Sequence, residues 1–85
     1  MAENHLNVQI RALILEKYPL ARRQQISDSD GLLESGILDS LGILDLVSSL
    51  EQQFSMSVGD DELVPENFQS IDRLAAFVQR KMSNG

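Results

Sequence analysis

Residues 36–54, GILDSLGILDLVSSLEQQF, decide what this chain folds into. From Leu41 onward the large aliphatics recur at helical spacing. Ile43, Leu46, Val47, Leu50 and Phe54 fall on one stripe, so a helix over Leu41–Phe54 is expected to pack that stripe into a core. The opposite side carries Leu41, Leu44, Asp45, Ser48, Glu51 and Gln52. Two leucines flanking a carboxylate make a small apolar patch rimmed with acid. Either another segment covers that patch or it faces a partner. Asp39 and Ser40, at the head of the helix, are both good N-caps. One cap suffices. If Asp39 takes the first free backbone N–H groups, the Ser40 hydroxyl is left facing solvent beside the positive end of the helix dipole, where an esterified phosphate is stabilised.

The flanking sequence is helical too. Leu6, Ile10, Leu13, Ile14 and Lys17 follow the same spacing, and this first helix should stop near Tyr18, because Pro19 disfavours helical geometry in the residue before it. Downstream, the segment SVGDDELVPENFQS has room for one short helical turn with Pro65 near its start. Ser70 is placed to cap a last helix, with Asp72 in its first turn, Ile71, Leu74, Ala75, Val78 and Met82 spaced for burial, and Arg80 and Lys81 at its C-terminal end. No strand is indicated. The expectation is an all-α fold, a small four-helix bundle of three main helices and one short one. The connection from Pro19 to Asp39 reads as a long loop, held in order by Ile26, Leu32, Leu33, Ile37 and Leu38.

Composition limits the functions open to such a chain. Its 85 residues suit one domain, residues 1–85, too small to hold a deep substrate cavity and the scaffold around it. Hydrophobic residues at 42% and charged residues at 24% are ordinary for a folded globular chain. There is no cysteine, so disulfides, thiolate nucleophiles and thiolate metal sites are excluded together. The longest apolar run, ALIL at 12–15, cannot span a bilayer, and the N-terminus has no secretion-signal layout; a cytoplasmic protein is the expectation. The net charge of −6 is unevenly spread: residues 24–72 contain no lysine or arginine but eleven of the 13 carboxylates. Nucleic acid is a poor partner for that surface. It suits solubility, or docking to basic proteins.

Two kinds of site are argued against by pattern. A serine hydrolase would need a partnered base and a G-x-S-x-G elbow, whereas the lone histidine, His5, stands near the N-terminus. The same solitude argues against a metal centre. DSDGLLESGILD, residues 28–39, has carboxylates at its first, third and last positions. A calcium loop, however, needs an oxygen ligand at the fifth position and glycine at the sixth, where Leu32 and Leu33 stand.

Taken together, the opening helix, the long loop, LLESGILDSLGILDLVSSLEQQF, the acidic DDELVPENF and the closing SIDRLAAFVQRKM resemble the acyl carrier proteins and their aminoacyl and peptidyl relatives. The resemblance centres on Asp39-Ser40-Leu41. It implies that Ser40 is where a phosphopantetheinyl transferase attaches 4′-phosphopantetheine from coenzyme A, with Asp39 and Leu41 flanking the attachment point. It also implies a non-catalytic carrier that brings acyl or aminoacyl groups, as thioesters, to loading and transferring enzymes. The sulfur missing from the sequence would arrive with the cofactor. Leu41 and Leu44, with Asp45, Ser48 and Glu51, would form the face read by basic patches on those enzymes, and a monomer suits a shuttle. Gly36 is separated from Asp39 by Ile37 and Leu38, one residue more than in the G-x-D-S-L of fatty-acid carriers, a spacing closer to D-alanyl and other discrete pathway carriers. Gly42, Gln52 and Gln53 stand where acids are common, implying weaker dependence on basic patches and a dedicated biosynthetic pathway. An unmodified acidic adaptor that only binds another protein would account for the charge and the leucines, but not for the serine.

Overall fold

The computed structural model describes residues 2–84 and is helical, with no strand among the described residues. Helix α1 covers Ala2–Lys17, α2 Pro19–Gln24, α3 Ser40–Phe54 and α4 Ile71–Asn84, with 3₁₀ turns at Asp60–Glu62 and Pro65–Phe68. Three long helices and one short α-helix satisfy the expected architecture, but the short α-helix is not where the sequence placed it. The turn at Pro65 exists as 3₁₀ structure. The short α-helix instead lies inside the stretch read as loop. Pro19 ends α1 as expected and then starts α2, because a proline at the first helical position lacks only an N–H that would be unsatisfied there anyway. Tyr18, extended at φ −125°, is the single residue of the corner.

One core joins the helices. Leu6, Ile10 and Ile14 of α1, Leu46, Val47 and Leu50 of α3, and Ile71, Leu74, Ala75, Phe77 and Val78 of α4 are buried together. Phe68, from the 3₁₀ turn, stacks obliquely on Phe77 with ring centroids 5.9 Å apart, inside the range for favourable aromatic pairs. Ile43 and Phe54 are only partly buried at the core's margin. Met82, spaced for burial, is 53% exposed; in the last turn of α4 it borders an open hollow with Phe54, Met56 and Lys81 instead of reaching the core.

The connection from α2 to α3 is ordered by the aliphatics that mark it. Ile26, Leu32, Ile37 and Leu38 are buried and Leu33 packs half-buried beside them. Its backbone is anchored to the lead-in of α4: the Leu32 amide donates to the Gln69 carbonyl at 2.7 Å, and the Asp72 amide to the Asp28 carbonyl at 3.0 Å. Side chains reinforce the anchor, with Asn7 donating to both Asp28 and Asp72 and Arg11 to Asp28. Asp30 accepts the Ser27 amide. Gly36 turns the chain at φ +81°, a conformation that a side chain would strain. The segment thus delivers residues 38–40 to the head of α3 from a fixed direction.

Candidate functional site

Asp39 is the N-cap of α3. Its extended backbone breaks the helix, and its Oδ1 accepts the Gly42 amide at 2.6 Å. Ser40 is therefore the first helical residue, exposed, and its Oγ has no hydrogen-bond partner among the described residues. The amides of Ser40 and Leu41, in the first turn, have no acceptor inside the helix. The Ser40 hydroxyl thus combines freedom from capping, access from solvent and unsatisfied donors at the positive end of a helix, where negative charge is stabilised.

Gly42 belongs to the same first turn and not to the helix interior. A Cβ there would lie 3.1 Å from Asp39 Oδ1 and 3.3 Å from Leu38 Cδ1, so the small residue leaves room for the cap. Its carbonyl accepts from Tyr18 Oη at 3.3 Å, which ties the α1–α2 corner to the head of α3. Burial, and then the nearby Asp45 and Asp39 carboxylates, push the tyrosine pKa up, so the hydroxyl remains a donor well into alkaline solution.

The face running along α3 from Ser40 is open. Leu41 is 80% exposed and Leu44 55%, so neither the long connection nor the 3₁₀ turns cover them. Asp45 and Ser48 are exposed beside them. The acids are less free than sequence suggests. Asp45 meets the Lys17 ammonium at 2.8 Å. Glu51 is half-buried and its Oε2 accepts the Val58 amide at 2.8 Å, bracing the turn after α3. Lys17 and Tyr18 are the neighbours that sequence reasoning missed. Periodicity assigns faces within a helix but not how two helices are rotated against each other, and the position of Lys17 in the last turn of α1 was the only available hint.

His5 stands exposed on α1, and among the described residues no three His, Asp or Glu side chains gather as a metal would require. No helix among them is long and apolar enough to cross a membrane.

Comparison with known sequences bears on the family of the chain. A family described as "phosphopantetheine attachment site" matches residues 8–78. The aminoacyl carrier protein 2 of Bradyrhizobium diazoefficiens is 27% identical over 89 residues, covering 100% of this chain and 98% of that protein. The acyl carrier protein of Buchnera aphidicola is 25% identical over 77 residues, covering 91% of this chain and 92% of that protein. The probable acyl carrier protein PigG of a Serratia species is 43% identical over 49 residues, covering 58% of this chain; the chain spans 56% of that relative's length.

Proposed function

This chain belongs to the phosphopantetheine-attachment family of carrier proteins, and we propose that Ser40 is its attachment residue. As a family member it is a carrier and not a catalyst, modified by a phosphopantetheinyl transferase and working with biosynthetic enzymes. The 4′-phosphopantetheine arm supplies the thiol on which acyl groups ride as thioesters, which a cysteine-free chain cannot supply itself. The observation that carries the assignment is the division of tasks at the head of α3: Asp39 caps, and Ser40, next to it, is exposed and unpartnered among the described residues. The chain's own part is to hold that hydroxyl at a helix N-terminus on a fixed approach, with free amides toward the phosphate.

We extend the proposal to the surface and the cargo. Leu41 and Leu44 form the apolar centre of the docking face, with Asp45 and Ser48 beside them and Glu51 further along the helix. Partners are the transferase and enzymes that load and transfer acyl or aminoacyl groups, docking through basic patches. The carrier and aminoacyl-carrier names of its relatives support that range. Docking is weak and reversible, with the acids contributing more to encounter rate than to affinity.

Incubation with coenzyme A, magnesium and a broad-specificity transferase should add one phosphopantetheine to the intact mass of the wild type and none to Ser40→Ala. An unchanged wild-type mass with several transferases, or a Ser40→Ala variant that still loads, would overturn the assignment.

A further inference from the structure

Three carboxylates lie on or next to the proposed docking helix, and each is engaged within the chain. Asp39 holds the Gly42 amide, Glu51 the Val58 amide, and Asp45 the Lys17 ammonium. The first two are bonds to backbone that keep a helix start and a turn in shape. The third is an ion pair between α1 and α3, and another cation can replace the lysine. Its two ends are unequally exposed: the Asp45 side chain is 70% exposed and the Lys17 side chain 20%. The outer side of the carboxylate is thus open to an approaching group, while the lysine stem lies packed against the fold. Because the ammonium is on a short tether, its effective concentration at Asp45 is high. Lys17 also lies in the last turn of α1, so an ammonium displaced from Asp45 still has the negative end of its own helix. Residues 24–72 contain no lysine or arginine, so α3 has no cation of its own to play this part.

We propose that Lys17 is an intramolecular stand-in for the partner's cation, occupying Asp45 in the free protein and giving way when a basic enzyme docks on α3. The inference rests on the docking reading of α3 given above. An enzyme's lysine or arginine arriving at Asp45 exchanges one ion pair for another and gains less than it would at a free carboxylate. Lys17 is then a specificity residue that keeps docking weak. It opposes cations that reach Asp45 alone and yields to partners that also cover Leu41 and Leu44.

Lys17→Met keeps the packed stem and removes the charge. Titrated at low ionic strength with a broad-specificity phosphopantetheinyl transferase, the unloaded Lys17→Met protein should bind about two- to fivefold tighter than wild type, the span expected of an exposed pair. The gain should shrink at high salt and vanish in an Asp45→Asn background. Arg73→Gln removes the same charge from the start of α4. Its neighbour Asp72 is held by Asn7, ten residues back along α1 from Lys17, roughly 15 Å at helical rise. Arg73→Gln should therefore leave binding near wild type. Equal tightening in Arg73→Gln, or a gain that persists without Asp45, would show a net-charge effect and overturn the proposal. So would unchanged affinity in a Lys17→Met protein whose melting curve matches wild type. If Asp45→Asn weakens binding while Lys17→Met changes nothing, only this inference falls. If Asp45→Asn alone binds like wild type, the docking role of Asp45 falls with it.

Discussion

Asp39 and Ser40 are chemically matched as helix caps, and the fold assigns the cap to the aspartate. Two measurements at this scale separate their roles. Ser40→Ala removes no observed hydrogen bond and places a good helix former in the first turn, so urea unfolding should stay within about 0.5 kcal/mol of wild type. Asp39→Ala removes the cap and should cost about 1 kcal/mol, within the range for such caps. It should also slow loading, because Ser40 is then the nearest hydroxyl able to take over the orphaned amides. Asp39→Asn, which caps equally well, should restore both. The Asp-Ser pair could be read in the sequence because capping is local chemistry. The engagement of Asp45 by Lys17 and of Glu51 by the Val58 amide could not, because each spans a loop or two helices whose relative rotation no local pattern records.

Among the elements, the long helices α1, α3 and α4 follow their 3.6-residue patterns, and the Ser70 cap is in place, with the Arg73 amide donating to Ser70 Oγ at 3.2 Å. What the pattern did not provide was α2. Six residues are too few for periodicity to register, and Pro19 reads as a terminator although the same residue begins a helix well. Met82 shows the opposite error: its spacing is correct, but a stripe buries a residue only where a neighbour lies against it. The corner between α1 and α2 is joined to α3 by the Tyr18 hydroxyl on the Gly42 carbonyl. Tyr18→Phe keeps the ring and loses that bond, so denaturant unfolding should show a loss of about 0.5–1.5 kcal/mol.

For the molecule as a whole, stability is carried by one shared core, and the expected outcome of breaching it is large. Phe77→Ala removes a ring buried against Phe68 and should cost about 3–5 kcal/mol, a major share of what a domain this size holds. Its thermal transition should broaden or disappear. Acid acts at a second fastening, where Glu62 accepts from Lys81 Nζ at 2.8 Å and from the Gly59 amide at 2.9 Å. The Lys81 bond first, and then the Gly59 amide, hold the Glu62 carboxyl below the ordinary carboxylate range. Its stabilising contribution is complete above the unfolded carboxylate pKa and is lost as pH falls through the lowered folded value. Glu62→Gln should accordingly flatten the acid limb of a plot of melting temperature against pH. The chain has two lysines, and both ammonium groups lie 2.8 Å from a carboxylate, Lys17 at Asp45 and Lys81 at Glu62. A carbodiimide would therefore tend to convert each contact into an amide bond within the chain, welding α1 to α3 and the acidic turn to α4. Amine-directed labels and resins, by the same arithmetic, would have to pull one of those two joints apart before reaching a side-chain amine.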